Sequence, residues 1–279
     1  MEIIKKMRIM KIKIILSIIF VIIAIYITVN NTRIGITKYY IYSDKIKEDV
    51  VITQVSDLHN TDFGAKQKIL IKKIKETKPD IIAVTGDIID SNNMNIIPAW
   101  DFIYKANDIA PIYYVTGNHE AWIGSKYDNL KDKISISNVT VLDGKVINTK
   151  INNNELTILG IDDPSFENVD KQLDKLEYTD ENFILLLAHR PELFGHYQNR
   201  NIDLVLTGHA HGGQFRIPSV GGVIAPNQGL FPKYTEGIFK SDVDNTKMIV
   251  SRGLGNSVIP IRINNNPELV VVVLKPKKD

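Results

Sequence analysis

No cysteine occurs anywhere in the sequence. Disulfides, iron–sulfur clusters, zinc–thiolate sites and a cysteine nucleophile are all excluded at once. Net charge is nearly absent as well. The 34 basic and 32 acidic side chains leave only +2, too little to argue for nucleic acid as a partner. Part of even that surplus lies in a basic N-terminal tail (Lys5, Lys6, Arg8, Lys11 and Lys13). There is no long internal repeat and no low-complexity tract, and nothing points to an obligate protein partner. What remains is ordinary: 279 residues, 44% apolar and 24% charged, enough for one large domain or two small ones with a sizeable core.

One apolar run stands out. Ile14 to Val29 carries no charge and is interrupted only by Ser17 and Thr28. Such a run spans roughly 24 Å as helix. The hydrocarbon core of a bilayer is ~30 Å thick, and Lys11 and Lys13 can snorkel to close the gap. A signal-peptidase site needs small residues, and the run ends Tyr26-Ile27-Thr28-Val29-Asn30, so an uncleaved single-pass anchor in the cell membrane is expected. The basic tail should stay in the cytoplasm, with the rest of the chain outside it. The chain then divides into tail and anchor (1–30), a connector (31–47) with strand character from Lys38 to Tyr42, and a folded domain (48–279).

Within that domain short β-branched runs alternate with helical stretches. Val50–Val55, Ile81–Thr85, Ile112–Thr116, Phe183–Ala188 and Leu204–Thr207 read as buried strands. Helices are predicted over Ala65–Lys78, before Pro79, over Ile97–Asn107 and over Asn168–Leu176. Asn138–Lys150 and Glu155–Ile161 look like hairpin strands, with Asp143-Gly144 as a turn. From Gly212 onward glycine and proline are dense and strands short. A layered α/β domain with a β-rich end is expected.

The polar residues fall at particular places. Each clear strand runs into side chains able to bind metal: Asp57-Leu58-His59, Gly86-Asp87, Gly117-Asn118-His119-Glu120, His189-Arg190 and Gly208-His209-Ala210-His211. Ligands gather outside the carboxyl ends of strands in open α/β sheets. Asp57, Asp87 and Asn118 are 30 and 31 residues apart, about one βαβ unit each. Of the six histidines only His196 lies outside these segments, and it reads as structural. The mixed Asp/Asn/His set suits manganese, iron or zinc and argues against calcium. It is too large for one tetrahedral ion and fits a pair sharing a carboxylate. Two divalent cations set against two aspartates and a hydroxide keep a surplus of about one positive charge, which favours an anionic phosphate.

This ordered set resembles the calcineurin-like metallophosphoesterase family. The region Gly208–Lys233 and the stretch Ser251–Arg262 resemble its membrane-associated bacterial phosphodiesterase branch, of the YaeI and YkuE type. The resemblance implies a four-layer αββα sandwich of two mixed β-sheets flanked by helices, here preceded by one transmembrane helix. It implies two divalent metal ions, one bound by Asp57, His59 and His211 and the other by Asn118, His189 and His209, with Asp87 bridging. His119 would protonate the leaving oxygen or stabilise its charge and Asp90 would orient His119, while a hydroxide bridging the metals attacks phosphorus. Asn118, His119 and Arg190 would contact substrate. The protein Ser/Thr phosphatase branch has arginines where this chain has Ser91 and Thr116, so that activity is not expected. Arg190, Arg216 and Arg252 are left as phosphate contacts or as structural ion pairs.

The expected function is phosphodiester hydrolysis. A pyrophosphatase acting on a lipid-linked sugar nucleotide is the alternative substrate reading. A non-catalytic membrane-anchored module of the same fold and a mononuclear zinc protein using only His209 and His211 are the rivals from other classes.

Overall fold

The computed structural model describes residues 1–93, 95–135, 139–256 and 259–277. The chain opens with α1 (Glu2–Thr32), exposed over nearly all its length and long and apolar enough to cross a membrane. Then come β1 (Gly35–Ser43), β2 (Val50–Val55), α2 (Lys68–Thr77), β3 (Ile81–Thr85), α3 (Ile97–Ala106), β4 (Ile112–Val115), α4 (Asn118–Trp122), α5 (Lys126–Ser135) and β5 (Val139–Val141). A second series runs β6 (Lys145–Ile151), β7 (Asn154–Gly160), α6 (Val169–Asp174), β8 (Phe183–Leu187), α7 (Phe194–Tyr197) and β9 (Leu204–Thr207). Two short hairpins follow, β10 (Arg216–Ile217) with β11 (Gly221–Gly222), and β12 (Ile224–Ala225) with β13 (Gly229–Leu230). The chain closes with β14 (Gly237–Lys240), β15 (Lys247–Val250) and β16 (Glu268–Pro276).

Two six-stranded mixed sheets result, in the orders β1-β16-β2-β3-β4-β5 and β14-β15-β9-β8-β7-β6. Their central strands are buried on both faces, as strands between two apolar layers must be. In β3, Ile81 and Ala83 face the space between the sheets while Ile82 and Val84 face helices. In β8, Phe183, Leu185 and Leu187 enter the same inner layer, with Ile184 and Leu186 on the outer side. Leu70, Ile74, Phe102 and Ile103 of α2 and α3 cover the first sheet. Val169 and Leu173 of α6 with Phe194 and Tyr197 of α7 cover the second. The architecture is therefore the αββα sandwich expected, with an apolar helix ahead of it.

Several expected boundaries move, for physical reasons. The stretch expected as a connector contains β1, which pairs in parallel with the C-terminal strand β16. α2 starts at Lys68 rather than Ala65 because Lys66 and Gln67 adopt left-handed φ values of 57° and 62°. There Gln67 accepts the Phe63 N–H and donates to the carbonyls of Thr61 and Pro98. The expected hairpin over 138–161 is split, and Asn138 itself lies outside the described residues. β5 pairs with β4 in the first sheet while β6 and β7 form the hairpin in the second. Asp143-Gly144 thus links the two sheets, and the hairpin turn is at Asn152-Asn153. Asp143 receives both Lys131 and Lys145 at 2.5 Å, which fastens that crossing.

Candidate metal centre

β2, β3 and β4 are parallel neighbours in one sheet, and β8 and β9 are parallel neighbours in the other. Each set of parallel strands therefore delivers its following loops to one edge. Gln54 of β2 aligns the two edges by donating to the Thr207 carbonyl at 2.8 Å and to Thr85 Oγ1 at 2.9 Å. The loops continue to cross-bond past the strands, through Asp57 N–H to the Gly86 carbonyl and Gly208 N–H to the His189 carbonyl, both at 3.0 Å.

The seven side chains expected at the metals all reach this edge and all are buried. Asp57, His59 and His211 form one group whose ligand-type atoms lie within 4.8 Å of one another, and Asp87, His189 and His209 form a second. His59 Nε2 and His211 Nε2 are 3.2 Å apart, and Asp57 Oδ1 is 3.5 Å from the latter. In the second group His209 Nδ1 lies 3.1 Å from His189 Nε2, with Asn118 Oδ1 at 3.3 Å from the same nitrogen. Asp87 joins the groups: its Oδ2 is 3.3 Å from His189 Nε2 and 3.7 Å from His59 Nε2. Its Oδ1 is turned away to accept the His119 N–H at 2.8 Å.

The backbone is bent hard to achieve this. Asp57, His59, Asp87, His209 and His211 all have φ between 45° and 63°, a region that costs a non-glycine residue of order 1–3 kcal/mol. Gly208 has a steric duty beside them: a Cβ there would collide with Ser56 Oγ and the Asp57 carboxylate.

The electrostatics match a cation-binding pocket. Burial pushes the His59 and His209 imidazoles down to about 4 and about 3, and His211 well below its usual range. Burial also pushes Asp57 up to about 6. For Asp87 burial acts upward, but His189, His59 and His119 together carry it well below the carboxylate range. For His189 burial acts downward, but Asp87, Asp57 and Asp163 outweigh it and raise the imidazole to about 10. His189 Nδ1 donates to the Thr85 carbonyl at 2.7 Å, so Nε2 is the atom facing Asp87. Buried His59 Nδ1 and His209 Nε2 have no hydrogen-bond partner among the described residues. Three neutral imidazoles, a fourth that must shed its proton to bind, and two carboxylates are a donor set that fits divalent metal ions.

His119 stands at the rim, its ring 4.5 Å from that of His59. Its Nδ1 lies 3.3 Å from Asp90 Oδ1 and accepts the Ser91 N–H at 3.0 Å. Arg190 is adjacent to the site yet engaged: Asp163 accepts from its Nε and Nη2 at 2.6 and 3.0 Å. Arg216 and Arg252 share Glu236, and Arg252 also meets Glu268. All three guanidiniums are in structural ion pairs. His196 pairs with Asp170 at 3.0 Å on the surface.

Four supporting residues carried no role in the sequence. Ser56 donates to Asp57 Oδ2 at 2.6 Å. Glu120 accepts the N–H groups of Asp87, Ile88 and Gly117 at 2.8–2.9 Å; its place in Gly-Asn-His-Glu was the available signal. Glu192 Oε1 approaches His209 Nε2 at 3.8 Å. Arg262, fully buried, donates to the Gly255 carbonyl at 2.5 Å and reaches His211 Nδ1 at 3.5 Å. No spacing rule links these last two to the strand ends.

Comparisons with known proteins agree with the geometry. The family model described as calcineurin-like phosphoesterase matches residues 50–213. The chain is 32% identical over 232 residues to an uncharacterized metallophosphoesterase, YkuE of Bacillus subtilis, covering 80% of this chain and 78% of that protein. It is 27% identical over 202 residues to phosphodiesterase YaeI of Escherichia coli, covering 71% and 72%. Among solved structures, TT1561 of Thermus thermophilus shares the fold at a TM-score of 0.50 and 12% identity, covering 74% of this chain and 90% of that one. With its family model spanning more than half the chain and its motifs gathered at one edge, the protein belongs to the calcineurin-like phosphoesterases, hydrolases of phosphoesters.

Proposed function

We propose that this chain hydrolyses phosphodiesters with a pair of divalent cations, manganese, iron or zinc. Asp57, His59 and His211 would hold one and Asn118, His189 and His209 the other. The observation that carries the reading is Asp87 Oδ2, set 3.7 and 3.3 Å from imidazole nitrogens of the two groups, the position of a shared carboxylate. When bound, the cations would supply a bridging hydroxide as nucleophile and neutralise the phosphoryl oxygens.

The chain's own residues do the rest. Since Ser91 N–H donates to His119 Nδ1, the ring's proton sits on Nε2, where it can hydrogen-bond to the leaving oxygen and stabilise its developing charge. Asn118, beside it at the start of α4, offers its amide to a phosphoryl oxygen as well as to a cation. The name phosphodiesterase carried by YaeI supports a diester substrate. The ion-paired state of Arg190 removes the guanidinium that a terminal phosphate dianion would want. α1 would anchor the enzyme in the cell membrane, with its basic tail cytoplasmic and the domain from about residue 48 outside. A diphosphate bond in a lipid-linked sugar nucleotide is the second reading, favoured by the docking of α1 on the segment that carries Arg262.

The test is metal analysis of the purified full-length chain, with hydrolysis of bis-aryl against mono-aryl phosphate in several divalent metals. Two metals per chain and a preference for the diester are expected. One metal per chain would support the mononuclear rival, and two metals without turnover of either ester the non-catalytic one.

A further inference from the structure

α1 does not leave the domain freely. Its last turns lie along an extended segment next to the site. Tyr26 Oη donates to Asn264 Oδ1. Asn31 Oδ1 accepts the Arg262 N–H at 3.1 Å and the Asn256 side-chain amide at 3.1 Å. The spacing is self-consistent: five residues of helix from Tyr26 to Asn31 rise ~7.5 Å, and two extended residues from Arg262 to Asn264 cover ~6.6 Å. Moving from Arg262 to Asn264 is therefore moving back along α1 into its apolar run.

The same direction is taken by the loop that follows the last two histidines. Phe215 bridges Ile263 in parallel, Arg216 N–H donates to the Ile263 carbonyl at 3.0 Å, and Asn264 donates to the Arg216 carbonyl at 3.2 Å. The β10–β11 turn, Ile217 to Val220, thus follows directly on Arg216, which meets Asn264, the partner of Tyr26. Its apolar side chains are in the open, Ile217 46% and Val220 60% exposed. Ile259, Ile261 and Ile263 point outward as well, each more than a third exposed, while Arg262 between them is fully buried toward His211. Arg262 alone of this stretch turns into the protein, while Ile261 and Ile263 on either side of it stay outside. No charged residue occurs from Ile217 to Pro232 or from Gly253 to Ile261.

We propose that Ile217, Val220, Ile259, Ile261 and Ile263 form a lipid-contacting surface that dips into the interfacial layer of the bilayer and holds the mouth of the phosphoesterase site against the headgroups. The occupant is the bilayer itself, because the patch meets α1 where Tyr26 bonds to Asn264, the neighbour of Ile263, and Ile25, Tyr26 and Val29 of that helix are themselves exposed. An isolated apolar patch could take any partner; one that extends a membrane-spanning run shares its solvent. The proposal rests on the reading of α1 as a membrane anchor. It adds that the domain has a fixed face toward the membrane, with Arg262 connecting that face to His211.

The absence of native cysteine makes the test clean. Single cysteines are placed at Ile18, Val220 and Val243 of the full chain, spin-labelled, and reconstituted in vesicles of phosphatidylethanolamine and phosphatidylglycerol. Val243, 60% exposed, lies between β14 and β15 at the opposite end of its sheet from the site. Collision with oxygen and with a water-soluble nickel chelate reports depth, and turnover of a soluble diester reports folding. The label at Ile18 should be fully shielded from nickel. The label at Val220 should be largely shielded from nickel and relaxed more strongly by oxygen, and that at Val243 should remain fully aqueous. A Val220 label as aqueous as that at Val243, with Ile18 in the hydrocarbon, overturns the surface while leaving the anchor intact. An aqueous Ile18 label overturns the anchor and the surface with it.

Discussion

The Ser91 N–H meets His119 Nδ1 at 3.0 Å, closer than Asp90 Oδ1 at 3.3 Å. A backbone donor cannot be removed by ordinary substitution, and it holds the ring in the tautomer with its proton on Nε2. With Nδ1 already an acceptor, the Asp90 carboxylate, partly exposed, is a neighbour of that nitrogen and not its hydrogen-bond partner.

Substitution should separate the two. His119→Ala is expected to lower kcat by about 10²–10⁴-fold while both metals stay bound, because His119 is outside the seven-residue donor set. Asp90→Asn should cost only about tenfold, the low end for an outer partner of a functional imidazole. Steady-state kinetics on a soluble diester with metal analysis of each variant decides this. Equal losses for the two variants would return the orienting role to Asp90.

Asp87→Asn should behave differently from both. Its Oδ2 lies within 3.7 Å of nitrogens from both histidine groups, so an amide there puts N–H donors where one shared acceptor is needed, or presents a weaker neutral oxygen. Both metals and activity should fall together in the variant. Loss of one metal with the other retained would mean that the carboxylate serves a single cation.

Glu120 is a structural counterpart to these. Its buried carboxylate accepts N–H groups of Asp87, Ile88, Ile89 and Gly117 at 2.8–3.3 Å, stitching the loop after β3 to the start of α4. In Glu120→Gln one oxygen acceptor becomes an NH₂ facing backbone donors. The expected cost is about 2–4 kcal/mol of stability, read from denaturant unfolding. A smaller metal effect than in Asp87→Asn is also expected, because no metal-directed atom is removed.

What was legible in the sequence follows from where side chains act. Central strands buried on both faces read as unbroken apolar runs, so β2, β3, β4, β8 and β9 were found nearly to the residue. The ligand-type residues were visible because each directly follows such a strand. β1 was missed as a full strand because its partner is β16, over two hundred residues away, and its exposed Tyr40 and Tyr42 blur the alternation. The Asp143-Gly144 turn was misassigned for a related reason: a turn signal marks a reversal but does not say which sheet each flanking strand joins. Arg262 and Glu192 contact His211 and His209 through tertiary packing alone, and no local pattern announces that.

The last prediction concerns protons displaced by metal. At pH 8 Asp57, raised to about 6, is ionised, and His59 and His209, lowered to about 4 and 3, are neutral. Asp87 and His211 are shifted down, so the first is ionised and the second neutral. His189, raised to about 10 by Asp87, Asp57 and Asp163 against the opposing effect of burial, is the donor still protonated. Loading should therefore release about one proton per chain from His189, beyond the one that water gives up in forming the hydroxide, and affinity should rise by up to about tenfold per pH unit between neutrality and pH 10. The stability linkage has the opposite sign in the metal-free protein. A raised imidazole pKa stabilises the fold fully below its unfolded value near 6.5, and that contribution is lost as pH climbs to about 10. Titration calorimetry in buffers of different ionisation enthalpy measures the proton count. A count no larger than water's own, or one unchanged in His189→Ala, would show that the charge on His189 is not what the cations displace.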